Sequence, residues 1–270
     1  MVVADLVPDS LWVRVEPLLP VRPPRRFRFP GRRPVEDRVA LVGIVYVLKT
    51  GIAWRDLPTA AFGVSGVTCW RRLRDWTEAG VWPGLHELLL AELRAAGELD
   101  LNRCAVDSSH VHALKRGALV GPSPVNRGHP GSKHHLIVEA HGLPLAVKLT
   151  GGNRHDITQL LPLVEAIPPI RGRRGRPRRR PGTLYGDRGY DSQPHRRRLR
   201  ALGIRPHLAR RRRGHGSGLG KHRWVIERGF AWLHAFKRLR TRYERRADIH
   251  LGLLHLACAL ICHRELTKSF

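Results

Sequence analysis

The sequence predicts an α/β protein, with a mixed sheet flanked by helices and a helical region in front of it. Three observations carry that expectation. Apolar residues recur at helical spacing from about residue 35 to 98, and from residue 99 the pattern changes to short strand-like runs. From there the predicted order is strand, strand, strand, helix, strand, helix, strand, helix. A hydrophobic content of 42% with seven Trp over 270 residues is enough for a large core and argues against a wholly disordered chain.

The elements follow in order. Pro8, Asp9 and Ser10 open a short apolar helix through Leu11, Trp12, Val15, Leu18 and Leu19. The stretch VRPPRRFRFPGRRP is a basic Pro-rich arm, suited equally to a solvated linker or to tracking a DNA backbone. A buried helix over 35–50 is stopped by Gly51. Ser65 can cap a helix with Val67, Trp70, Leu73 and Trp76 on one face and Arg71, Arg72 and Arg74 on the other. Gly80 ends it, and another amphipathic helix runs through Leu85 to Leu93. Helix, turn and basic helix is the shape of a helix-turn-helix module. Strands are expected at 103–107, 134–140 and 143–149, with a tight turn at His141 and Gly142. A helix at 156–166, a strand at 183–187, a helix to Leu202, a strand at 204–208 and helices at 222–240 and 249–266 complete the chain. That order is compatible with an RNase H-like domain over 99–270 behind a helical DNA-binding region over 1–98.

Lys plus Arg is 49 against 22 acids, a formal charge of +27, and only seven of the cations are Lys. So basic a surface points to a polyanion partner, and Arg forks onto phosphates. The longest nearly apolar run, 39–48, is too short to span a bilayer, and the first ten residues show no secretory pattern. Four scattered Cys make no disulfide framework. The group His255, Cys258, Cys262 and His263 lies in an apolar helical stretch, where buried structural Cys is the expected reading rather than zinc. These features predict a cytoplasmic, nucleoid-associated protein with no membrane partner.

Two acids close short apolar strands, Asp107 after CAV and Asp187 after LYG. In the helix that follows, positions 225, 229, 232, 236 and 239 form the apolar stripe. Glu227 lies on the opposite side, on a line with Arg223, His234 and Arg238. Three carboxylates from two strands and a helix are what a two-metal phosphoryl-transfer site needs, with Mg²⁺ as the preferred ion. Asp156 and Asp191 each precede a helix and are expected to cap it. His110 and His112 follow the first Asp and could approach DNA, though exposed and uncommitted His is the expected state. The Arg-rich runs at 171–180 and 210–213 are expected to contact phosphates.

Five tracts in this order, LPTAAFG with RRLRDW, VDSSHVHA, GGNRHDITQL, YGDRGYDS and RWVIERGFAWLHAFKRLRTRYERR, resemble DDE transposases of bacterial insertion sequences. The group is that named after insertion sequence five, within the insertion sequence four superfamily, and the likeness spans about residues 10–265. It implies an N-terminal DNA-binding region, an RNase H-like catalytic domain, and Mg²⁺-dependent cleavage and joining of transposon ends, Mn²⁺ serving as a substitute. It places the acidic triad, which is also the metal set, on Asp107, Asp187 and Glu227. Double-stranded DNA is then the partner, as terminal inverted repeats and target, with a homodimer expected because two ends are cut together. The family signature Tyr-x2-Arg-x3-Glu-x6-Lys is matched at Arg223 and Glu227, while Gly220 and His234 stand at its Tyr and Lys positions. DNA contacts are therefore expected from Arg71, Arg72, Arg74, Arg223, His234 and Arg238, with Arg238 taking over the missing Lys contact. The competing expectation is a decayed, non-catalytic copy acting as a DNA-binding repressor.

Overall fold

The computed structural model describes residues 6–212, except Pro23, Arg25, Arg26, Pro30 and Arg32, and residues 220–268. Parts of the basic arm, and Arg213 at the end of the second Arg run, lie outside the described residues.

The first helices are α1 (Asp9–Val15), α2 (Asp37–Thr50), α3 (Thr59–Phe62), α4 (Gly66–Glu78) and α5 (Val81–Ala96). Gly51 stops α2 by adopting φ 76°, and its N–H donates to the Val47 carbonyl at 2.9 Å. Ser65 caps α4, its Oγ accepting from the Thr68 N–H at 3.3 Å. The buried face of α4 is Gly66, Cys69, Leu73 and Trp76, while Val67 is 57% exposed, a correction to the expected stripe. Close approach sets this rotation. A Cβ on Gly66 would sit 1.7 Å from the Trp54 carbonyl oxygen, and one on Gly43 of α2 would sit 2.5 Å from the Cys69 sulfur. Only these small residues let the turn at Trp54 and the two helices meet.

The strands are β1 (Arg103–Ala113), β2 (Gly121–Pro122), β3 (Pro130–Val138), β4 (Pro144–Gly151), β5 (Thr183–Gly186), β6 (Arg205–Leu208) and β7 (Thr241–Arg242). The main path reads β4-β3-β1-β5-β6. β3 runs antiparallel to β4 and β1, and β1, β5 and β6 are mutually parallel. A three-strand meander extended by two parallel strands is the RNase H-like order that the sequence predicts. The parallel pairs need crossovers, which α6 (Leu160–Glu165) and α7 (Gln193–Ala201) supply.

β1 is longer than expected. It carries VDSSHVHA onward as strand, paired with β3 from Ala105 opposite Val138 to His112 opposite Gly131. Two helices complete the fold, α8 (Gly220–Ala235) on β1 and β3, and α9 (Ala247–Lys268) against α5 and β4. α8 is shorter than expected. Phe236 leaves helical geometry with ψ 100°, and a 3-10 turn, Lys237–Leu239, docks on α2 instead. By length and composition α9 is apolar enough to cross a membrane, yet 72% of its apolar window is buried within the fold. Cys258 and Cys262 are wholly buried in it as free thiols. Residues from α1 to α5 and from the sheet belong to one continuous core.

Candidate active site

The parallel ladder between β1 and β5 ends at Ala105 opposite Tyr185. Two residues further on, Asp107 stands within β1 and Asp187 just past the end of β5, so both acids enter the crevice where these neighbours part. Such a crevice at the carboxyl ends of parallel strands is where open α/β sheets bind ligands. Asp107 therefore lies within β1 rather than at its end. Its Oδ1 accepts the Ser108 N–H at 2.8 Å, and its Oδ2 lies 3.0 Å from Arg223 Nη2 on α8. Burial raises the Asp107 carboxyl above the usual carboxylate range, and the charge on Asp187 adds to the rise, while the Ser108 N–H and Arg223 oppose it. Asp187 heads a 3-10 turn, Arg188–Tyr190, and accepts the Gly189 N–H at 2.8 Å.

Asp156 joins this neighbourhood. The expected capping role is corrected, because the structure shows no side-chain cap on its turn. Its Oδ1 instead accepts from Ser108 Oγ at 2.7 Å and Lys133 Nζ at 2.9 Å. Asp191 likewise caps nothing. It pairs with the buried Arg196 at 2.9 Å and accepts the Arg211 N–H at 2.8 Å. Tyr190, which sequence reasoning passed over, is 1% exposed, and its hydroxyl has no hydrogen-bond partner among the described residues. Burial and the charges on Asp107, Asp156 and Asp187 hold its pKa well up, so it stays a donor. A signal was available, since Tyr190 lies three residues after Asp187 inside the tract YGDRGYDS.

Glu227 is exposed on α8, one turn beyond Arg223. Among the described residues no group of three or more His, Cys, Asp or Glu stands in a metal-holding arrangement, so Glu227 is not gathered with the two aspartates in this conformation. The pair still fits a hard cation. It offers oxygen donors only, the two like charges disfavour each other, and a guanidinium already faces one of them. Mg²⁺ is commonly held by one or two carboxylates together with waters and substrate phosphates.

The expected DNA contacts divide. On α4, Arg71 is exposed beside Val67, and Arg74 pairs with Asp75 at 2.7 Å with its guanidinium 5.8 Å from the Trp70 ring. Arg72 is turned inward, its Nε 3.1 Å from Asp37 on α2, so its charge serves the fold. His234 is half-buried between Phe230 and His134, and burial lowers its pKa, so it is neutral near pH 7. Arg238 is a correction. α8 ends before it, and it is 4% exposed, bound to Glu244 at 2.7 Å and to the Ile52 carbonyl at 2.8 Å. A guanidinium so enclosed cannot replace the missing Lys at a phosphate. His110 and His112 are both partly buried. Gly131 and Gly152 make room for the His110 ring, and His112 meets His129 edge-on.

Comparison with known proteins adds to this geometry. A family model described as "Transposase DDE domain" matches residues 99–262, and one for transposases assigned to the IS4/5 family matches residues 7–86. A Burkholderia cepacia protein assigned as the transposase of insertion sequence element IS402 is 61% identical over 149 residues, 55% of this chain and 71% of that protein. The transposase for IS1106 of Neisseria meningitidis serogroup B is 27% identical over 137 residues, 47% of this chain and 42% of its own length. Among solved structures, the Mos1 strand transfer complex is 11% identical over 91% of this chain and 80% of that chain, with a TM-score of 0.35.

Proposed function

The chain belongs to the DDE transposases of bacterial insertion sequences, and from that premise we propose that it cuts the ends of its element and joins them to target DNA at Asp107, Asp187 and Glu227. The observation that carries the reading is the placement of Asp107 and Asp187, each two residues beyond the last β1–β5 pair, where the two strands part. A bound divalent cation, Mg²⁺ or Mn²⁺, would supply activation of the attacking oxygen and stabilisation of the leaving one. The side chains have distinct tasks. Asp107 and Asp187 would hold the cation, and Glu227, one turn beyond Arg223 on α8, would be the third carboxylate once brought to them. Arg223 offsets the Asp107 charge until a cation or a phosphate competes for it. Arg71 and Arg74 on the outward side of α4 position the DNA backbone. The partners are double-stranded DNA, as terminal inverted repeats and target, and a second copy of the chain when both ends are cut together. The protein works in the cytoplasm at the nucleoid.

The test is incubation of the purified protein with labelled terminal-repeat duplexes and Mg²⁺, with cut and joined strands mapped. Asp107→Asn, Asp187→Asn and Glu227→Gln should each abolish cutting and joining while retaining duplex binding. A fully active Asp187→Asn protein overturns the assignment.

A further inference from the structure

Tyr190 ends the turn that begins at Asp187, and its N–H donates to the Asp187 carbonyl at 3.2 Å. Its ring lies under Gly186, where a Cβ would come 3.3 Å from both Tyr190 Cδ2 and Val106 Cγ1. This turn packs on the Asp156–Gln159 turn, so the phenol is buried between the segments that carry the acids. Its hydroxyl meets the charges of Asp107, Asp156 and Asp187 yet has no hydrogen-bond partner among the described residues. The acids are engaged elsewhere. Asp156 Oδ1 is taken by Ser108 and Lys133, both Asp107 oxygens by Ser108 and Arg223, and Asp187 Oδ1 by Gly189. A buried hydroxyl without a partner is unfavourable, and native folds rarely keep one without a use.

We propose that the Tyr190 hydroxyl is a built-in hydrogen-bond donor for an oxygen held between Asp107 and Asp187, either a water on a bound divalent cation or a non-bridging oxygen of a DNA phosphate. Tyr190 is then a positioning residue of the active site, and this inference rests on the reading of Asp107 and Asp187 given above. Asp156 has a supporting part. By holding Ser108 and Lys133 it keeps the Ser108 N–H on Asp107 and leaves the phenol free for the incoming oxygen.

The experiment uses the full chain with Tyr190→Phe, and Asp187→Asn in parallel. Thermal melting is followed in EDTA and then with Mn²⁺ alone, and terminal-repeat duplex binding is measured in EDTA. In EDTA, Tyr190→Phe should melt no lower than the parent, because it loses an unpaired hydroxyl. Its apparent Mn²⁺ affinity should fall about five-fold, the usual worth of one hydrogen bond, if the acceptor is a metal-held water. An unchanged Mn²⁺ affinity with duplex binding weakened to a similar degree identifies the phosphate oxygen instead. The proposal is overturned if both affinities are unchanged, or if Tyr190→Phe melts several degrees lower in EDTA, which would mean that the hydroxyl serves the fold. Asp187→Asn separates the two readings. If it retains the full Mn²⁺ stabilisation, the active-site assignment has failed whatever Tyr190 does.

Discussion

Arg223 occupies the oxygen of Asp107 that a metal ion would need, at 3.0 Å. The pair is about a quarter exposed on each side, so solvent screens it and a phosphate can compete for the guanidinium. The Asp107 carboxyl is nonetheless raised above its ordinary range, chiefly by burial. A carboxyl raised in the folded state binds its proton more tightly there than when unfolded, so stability falls as pH rises through this range and the full penalty applies at neutral pH. Asp107→Asn should therefore melt above the parent in EDTA at pH 7, which calorimetry at low metal would show. Arg238 behaves in the opposite sense. It and Glu244 are both buried, and deleting one partner leaves the other's charge uncompensated in the interior. Arg238→Ala should cost about 3–5 kcal/mol of folding free energy by urea titration, the usual loss for a broken buried pair. A change in DNA binding without a change in stability would restore the phosphate role expected from its place in the sequence.

At the scale of elements, α4 presents Val67, Arg71 and Arg74 outward and spends Arg72 on Asp37. Arg71→Ala should reduce the slope of log affinity against log salt by about 0.9 at unchanged stability, as expected for one phosphate contact. Arg72→Ala should instead lower the melting point and leave the slope nearly intact. Most of this architecture was legible in the residues. The switch to strand patterning near 99, the caps at Gly51 and Ser65, the placement of Asp187 just after LYG and the order of five strands all have local causes. The misreadings share one reason, that tertiary contact decided between locally equal choices. Phe236 and Leu239 continue the apolar spacing of α8, so nothing local marks its end at Ala235. Their burial comes from a turn docked on α2. The polar run DSSH gives no strand signal, and β1 continues through it because β3 pairs with it residue by residue. Asp156 and Asp191 stood where caps stand, and only their partners from other elements reveal other duties.

Across the whole molecule, charge and burial meet in the histidines. Burial lowers the pKa of His86 to about 3 and of His135 and His255 to about 4, and His134 goes well below its ordinary value beside His250. Below pH about 6.5 the unfolded chain takes up protons that these folded sites refuse, so stability falls with acidity at roughly 1 kcal/mol per histidine per pH unit. The melting midpoint should drop steeply between pH 6.5 and 4.5, and a flat profile over that range would contradict the burial seen here. The contact between α5 and α9 also reaches into synthesis. α4, which carries Arg71 and Arg74, and its neighbour α5 are covered by α9 only after about 150 further residues of chain. At about 5–20 residues per second, a ribosome needs roughly 8–30 s to supply them. Through that interval α4 rests on α2 and the turn at Trp54, with Gly43 against Cys69 and Arg72 on Asp37, and lacks only the cover of α9. The surface proposed above to meet DNA is thereby braced by α9 only once Asp107, Asp187 and Glu227 have all been synthesised.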